Sequence, residues 1–259
     1  MSLPRQQAGG VGSVLSAAWE RTLDLVFPRR CAGCGAFGAF LCADCLSATP
    51  RAQPPRCPGC WMPVLSPQRL ALGESHAGGP AATELCERCR TRRPAFEATR
   101  CPFVYAGAAR EAVHALKYDG LSAIAATMAE AMAGCLAEWR PAVTALVPVP
   151  LAGRRRRSRG YNQSELLARE ISRLSGLPVN GGLLVKRKAA PPQARSADEA
   201  ARRANVEGAF AVRPKAETAG ALLLVDDVLT SGATLDACAR ALVAGGHGPV
   251  YALTFARED

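Results

Sequence analysis

Leu222-Leu223-Leu224-Val225-Asp226-Asp227-Val228-Leu229-Thr230-Ser231-Gly232-Ala233-Thr234 decides how this chain is read, because an unbroken apolar run ends in two carboxylates and then a small, hydroxyl-rich turn. Four apolar residues in succession suit a strand buried on both faces, as in a parallel sheet. Ligands of such sheets sit at the carboxyl ends of the strands, where Asp226 and Asp227 would stand. Thr230 to Thr234 then leads into an apolar-periodic segment carrying Leu235, Cys238 and Leu242. Its backbone N–H groups and hydroxyls can surround a phosphate at the positive end of a helix. The pattern suits a sugar phosphate, with the acids on ribose hydroxyls and the loop on a 5′-phosphate. The plainer alternative is a helix start at Asp-Asp followed by an ordinary Thr-Ser-Gly turn. No Gly-x-Gly-x-x-Gly follows a strand and no Gly-Lys-Ser/Thr occurs, which counts against dinucleotide and P-loop sites.

Eight of the eleven cysteines form four Cys-x-x-Cys pairs: Cys31/Cys34, Cys42/Cys45, Cys57/Cys60 and Cys86/Cys89. Each pair presents two thiolates to one tetrahedral zinc, so two structural zinc sites of four thiolates are expected. The sites pair sequentially, with Cys31, Cys34, Cys42 and Cys45 at one and Cys57, Cys60, Cys86 and Cys89 at the other, or interleave as a cross-brace; spacing leaves both open. A redox role would want one pair in a thioredoxin-like βαβ unit. Cys101, Cys135 and Cys238 stand alone among apolar residues and read as inert core cysteines.

Composition shifts divide the chain. Residues 1–28 hold an amphipathic helix with Leu15, Ala18, Trp19, Leu23 and Val26 on one face, ended by Phe27-Pro28. Residues 29–99 hold the cysteine pairs among Pro and Gly, with Ser66 to Thr83 read as an inserted loop; metal must replace the missing core there. Residues 100–259 alternate strands and helices. Strands are expected at 103–105, 145–149, 183–186, 209–212, 222–228 and 250–255, and helices at 109–117, 123–138, 163–175 and 235–244. That alternation predicts an α/β domain with a parallel sheet flanked by helices.

The net charge of +10 suits anionic ligands, phosphates or nucleic acid. The excess lies in two runs, Arg154 to Arg157 with Arg159, and Lys186 to Lys188; solvated surface is the plainer reading of each. No apolar run approaches the ~18 residues that span a bilayer. Met1 to Gly12 lacks a secretory core, so a cytoplasmic protein without a transmembrane segment is expected.

The thirteen residues from Leu222 to Thr234 resemble the signature by which type I phosphoribosyltransferases bind 5-phosphoribosyl diphosphate (PRPP). Further stretches narrow the resemblance to the ComF family. They are Phe27-Pro28, His114-Ala115-Leu116-Lys117-Tyr118, Val147-Pro148-Val149-Pro150-Leu151, Arg159-Gly160-Tyr161-Asn162-Gln163-Ser164, and Arg202-x-x-Asn205-Val206-x-Gly208-x-Phe210. The resemblance implies a type I phosphoribosyltransferase-like domain over 100–259 behind a double zinc ribbon over 29–99. It also implies Mg²⁺-dependent PRPP binding, with Asp226 and Asp227 catalytic and PRPP contacts from these two acids, Thr230, Ser231, Gly232, Ala233, Thr234, Lys117 and Arg159. Transfer of the phosphoribosyl group to an unnamed acceptor is one outcome. A non-catalytic PRPP- or DNA-binding adaptor that docks partners through its ribbons is the other. The family context implies natural competence, with incoming single-stranded DNA and competence-machinery proteins as partners.

Chemistry supports parts of this reading. The strand ending Val147-Pro148-Val149-Pro150 leads into Leu151–Asn162, expected as a pyrophosphate loop whose guanidinium groups bind phosphate oxygens bidentately. Arg159, beside Gly160, is the favoured contact, while Arg154 to Arg157 line the loop or stay solvated. Lys117 ends a helix, where it reaches pyrophosphate or simply complements the helix dipole. His114 reads as packed, and His76 and His247 take no role. Lys186 to Ala204 lacks an apolar stripe and resembles the hood that closes over PRPP, with Gln193 and Arg202 as lid contacts; a structural loop is the alternative.

Overall fold

In a computed structural model, which describes residues 28–64, 84–187, 208–213 and 219–259, the apolar run before Asp226 forms the middle of a parallel sheet. The amphipathic helix expected before Pro28, the inserted loop Ser66–Thr83 and the hood residues Gln193 and Arg202 lie outside the described residues. The elements run α1 (Ala43–Ala48), α2 (Glu87–Thr91), β1 (Thr99–Arg100), β2 (Phe103–Val104), α3 (Gly107–Tyr118), α4 (Ile124–Trp139), β3 (Ala145–Pro148), α5 (Gly153–Arg159), α6 (Gln163–Ser175), β4 (Leu184–Lys186), β5 (Phe210–Val212), β6 (Leu222–Leu229), α7 (Ala233–Ala244) and β7 (Val250–Arg257). β6 pairs parallel with β3 on one side and β7 on the other, and β7 pairs parallel with β1 and β2 in succession.

Side chains alternate across a strand, so the two faces of β6 serve two layers. Leu223 and Val225 pack with Leu116 of α3, Met128 and Met132 of α4, and Leu167 and Ile171 of α6. Leu222 and Leu224 pack with Leu235, Cys238 and Leu242 of α7. All four residues are fully buried, which is why the sequence tolerates no charge before Asp226.

Two segments depart from expectation. β4 and β5 do not join the parallel sheet; they form a separate antiparallel pair, Leu184 opposite Val212 and Lys186 opposite Phe210. Only Leu184 is buried in β4 and only Phe210 in β5, and strands covered on one face suit an antiparallel pair. Leu151–Asn162, expected as a loop, contains the helix α5. Arginine favours helix, and Gly160, at φ 81°, ends it in the left-handed conformation that a side chain resists. Val149, Leu183, Ala209 and Tyr105 flank their strands rather than extend them.

The cysteine-bearing region is fixed to the sheet by three arginines, two of them buried. Arg56, 5% exposed, grips both oxygens of Asp259 at 2.7 and 2.6 Å and donates to the Trp61 carbonyl at 2.9 Å. Arg257, at the end of β7, donates to the Cys60 carbonyl at 2.8 Å. Arg100 lies 3.9 Å over the Trp61 ring and donates to the Pro58 carbonyl at 3.0 Å. Asp259 is itself exposed, but removing it strands the buried charge of Arg56. Asp259→Ala is therefore expected to cost about 2 to 3 kcal/mol of stability, read as a lower denaturant midpoint.

Candidate phosphate cleft and metal centres

Both carboxylates stand within β6 just beyond Val225, the last position paired with β3, and the strand runs on to the buried Leu229. Asp227 keeps the parity of Leu223 and Val225, the side on which α3 packs, and Lys117 at the end of α3 reaches its Oδ1 at 2.7 Å. Asp227 is 5% exposed, so this is a shielded ion pair. Asp226 accepts from the Ser164 hydroxyl at 2.8 Å, in the first turn of α6, and from the Asp227 N–H at 3.0 Å. Burial, and then the adjacent Asp227 carboxylate, push the Asp226 carboxyl up to about 7. Burial also pulls on the Lys117 ammonium, but Asp227 outweighs it and leaves Lys117 above its ordinary value.

These groups floor a cleft of about 560 Å³ whose other polar contributors include Arg155, Arg159 and Lys186. Arg159 rests 5.1 Å over the Tyr118 ring, and burial followed by the charge of Arg155 lowers Lys186 below its ordinary value. Cations thus face two carboxylates across an open space, an arrangement that suits a ligand carrying hydroxyls at one end and phosphates at the other. The segment Tyr161–Ser164 is held from both sides: the Tyr161 hydroxyl donates to the Leu116 carbonyl at 2.7 Å, and Asn162 Nδ2 to the Val149 carbonyl at 3.1 Å. Gln163, 2% exposed, lines the same cleft, and its Nε2 has no partner among the described residues. A buried amide donor without an acceptor is costly, so this one is poised for an oxygen brought by a ligand.

Of the residues expected at the site, Asp226, Asp227, Lys117, Arg159, Thr230 and Thr234 line this cleft together. Ser231, Gly232 and Ala233 instead line a smaller pocket against α2, beside Arg88 and Asp236. Arg154, Arg156 and Arg157 are exposed and stand outside the cleft lining; Arg156 lies 3.7 Å from Glu165. His114 is exposed on α3, its ring tilted against Tyr118 at 4.8 Å and 3.7 Å from Asp119, not packed as its helical position suggests. Sequence alone gives Gln163 and Ser164 no role; their place at the start of a periodic helix, after the arginine run that follows a Pro-rich strand end, is the available cue. Arg155 and Lys186 are legible only as members of charge runs, and nothing in the pattern marks Arg88.

The cysteines resolve into two groups paired sequentially, Cys31, Cys34, Cys42 and Cys45, then Cys57, Cys60, Cys86 and Cys89. Within each group the sulfurs lie within 4.8 Å of one another, with Cys34 and Cys42 Sγ 3.7 Å apart and Cys60 and Cys86 Sγ 3.5 Å apart. Four thiolates at the usual Zn–S distance around one tetrahedral zinc stand about 3.8 Å apart, so the sites fit that metal. Crowding also redistributes protons: hydrogen bonds from Cys60 and Cys89 push Cys57 well below the usual thiol value, while contacts with Cys57 push Cys60 to about 11 and Cys89 higher still. Four such sulfurs ionise together only around a cation.

Comparison with known proteins agrees with the two cysteine groups. Residues 22–90 match the double zinc ribbon domain family. DNA utilization protein YhgH of Salmonella typhi is 27% identical over 215 residues, covering 81% of this chain and 87% of its own length. Its Escherichia coli counterpart is 26% identical over the same span. Competence protein F of Haemophilus influenzae is 38% identical over 100 residues, 38% of this chain and 43% of that protein. Adenine phosphoribosyltransferase from Leishmania tarentolae superposes over 50% of this chain and 54% of its own with a TM-score of 0.31 and 16% identity, too loose a likeness to bear on the site. Among the described residues no helix is long and apolar enough to cross a membrane.

Metal analysis of freshly purified, reduced protein is expected to return two zinc ions per chain, and Cys89→Ser is expected to remove one of them. Chelation is expected to unfold the ribbons before the sheet, because only the sheet has a large apolar core.

Proposed function

We propose that this ComF-like chain binds PRPP with Mg²⁺ in the cleft at the end of β6 and transfers its phosphoribosyl group to an acceptor, in the service of DNA taken up by the cell. The observation that carries the reading is the Asp226–Asp227 pair, held by Ser164 and Lys117 on the floor of a cleft walled by Arg155, Arg159 and Lys186. Asp226 and Asp227 would hold Mg²⁺ together with the ribose hydroxyls. An ion bound there would supply positive charge for the pyrophosphate leaving group.

Lys117, Arg155, Arg159 and Lys186 supply cations for the pyrophosphate oxygens, and the Gln163 amide supplies a neutral donor. Thr230 and Thr234 supply hydroxyls for the 5′-phosphate. In the transfer, the bond from C1 of the ribose to the pyrophosphate oxygen breaks, pyrophosphate departs with the electron pair, and a lone pair of the acceptor forms the new bond to C1 while the acceptor's proton passes to solvent. Fixed cations around the leaving oxygens stabilise the charge that develops there. The names of the relatives, a competence protein and DNA utilization proteins, support the assignment to DNA handling.

A second role for the basic segment follows from its geometry. Arg154, Arg156 and Arg157 stand exposed on α5 and leave the cleft to Arg155 and Arg159, so they are open to the backbone of single-stranded DNA. Replacing these three by Gln is expected to weaken single-stranded DNA binding and flatten its logarithmic salt slope by about 0.7 for each phosphate no longer neutralised. PRPP affinity should stay unchanged; a fall in it would return these arginines to the pyrophosphate site.

The carboxylates are tested by Asp226→Asn combined with Asp227→Asn, which is expected to abolish PRPP binding in calorimetry while leaving the fold intact. Unchanged affinity in the folded double variant would sink the assignment. Only the ionised Asp226 serves a cation, so with its carboxyl near 7 the wild-type affinity is expected to rise about tenfold between about pH 6 and pH 8. Asp226→Asn alone should remove that dependence.

A further inference from the structure

The two cysteine clusters meet different parts of the molecule. Cys31 of the first packs into the layer that holds α3 and α4. The second lies against the phosphate loop. Arg88 sits between Cys86 and Cys89 in α2, and its guanidinium donates to the Ser231 carbonyl. Asp236, in the first turn of α7, accepts from the Ala95 N–H at 2.7 Å, and Phe96 is buried with Leu229 and Leu235 on either side of the loop.

A trans peptide is planar, with its C=O and N–H on opposite edges. Holding the Ser231 carbonyl toward Arg88 therefore turns the Gly232 N–H away from the ribbon, and that N–H has no acceptor among the described residues. Gly232 sits at φ 75°, a conformation that costs glycine little, so the turn depends on an outside tie to keep this one orientation. Arg88 is such a tie, and it hangs on a helix of 5 residues, too short to hold itself without its cysteines.

We propose that Arg88 is a positioning residue through which the metal at the second cluster sets the phosphate grip of Thr230–Thr234. Metal at Cys57, Cys60, Cys86 and Cys89 fixes α2, α2 fixes Arg88, and Arg88 fixes the peptide joining Ser231 to Gly232. The ligand whose affinity is set this way is a phosphate monoester, and the inference rests on the PRPP reading of the cleft. The two zincs are thereby unequal: loss of the first leaves the loop in place, loss of the second loosens it.

Hydrogen–deuterium exchange on the full zinc-loaded chain tests this directly, with PRPP titration alongside. Arg88→Ala keeps all eight thiols and should retain both metals. Peptides spanning Thr230–Asp236 are expected to exchange about tenfold faster in Arg88→Ala and Cys86→Ser, as the loss of a charge-assisted hydrogen bond implies, and at the wild-type rate in Cys34→Ser. Leu222–Val225 should be unaffected in Arg88→Ala, PRPP affinity should fall about tenfold, and Arg88→Lys should restore part of both. Wild-type exchange in Arg88→Ala overturns the inference and leaves the PRPP reading standing where wild-type protein binds PRPP. Absence of PRPP binding by the wild type overturns that reading and the phosphate role of Arg88 with it. Because Arg88→Ala spares the ligands, its comparison with wild type decides the matter even where a cysteine variant fails to fold.

Discussion

Burial of β6 on both faces is the constraint from which the rest follows. Leu222 to Val225 have no solvent side, so the first position at which charge is tolerated comes after Val225, where β3 stops pairing, and two carboxylates occupy it at once. Adjacent like charges in a shielded place need compensation. Lys117 answers Asp227, Ser164 answers Asp226, and burial first, with the neighbouring Asp227 charge second, still holds the Asp226 carboxyl near 7. Positions along two other elements answer that demand, the end of α3 and the start of α6.

The ribbons solve a different problem. Their segment has few buried apolar residues of its own, and its order depends on eight sulfurs and on buried guanidinium groups that reach the sheet. Arg56, Arg257 and Arg100 each satisfy ribbon carbonyls that would otherwise be stranded. The second cluster thereby becomes a wall beside the Ser231–Ala233 turn rather than an appended module.

How much of this is legible in the sequence depends on whether the cue is local. The apolar run, the paired acids and the cysteine knuckles declare themselves, because each needs its residue types side by side. The partners of the acids do not: Lys117 and Ser164 are distant in sequence from Asp226 and Asp227, and only the packing of α3 and α6 on one face of β6 brings them together. The arginine run resembles a loop because charge suggests solvent, yet its helix propensity and the stop at Gly160 make α5. β4 and β5 pass for parallel strands because short apolar segments carry no direction; their one-sided burial shows only in three dimensions. Arg88 has no pattern at all, since its meaning lies in a carbonyl across the chain.

The most direct measurement is a calorimetric titration of the intact, zinc-loaded chain with PRPP, with and without Mg²⁺, against ribose 5-phosphate and pyrophosphate separately. Saturable binding of one PRPP per chain, dependent on Mg²⁺ and tighter than either half alone, is the expected result, because the acids, the cations and the loop each hold a different part of the molecule. No binding of PRPP, or binding no tighter than pyrophosphate and indifferent to Mg²⁺, would contradict it and reduce the cleft to a basic surface.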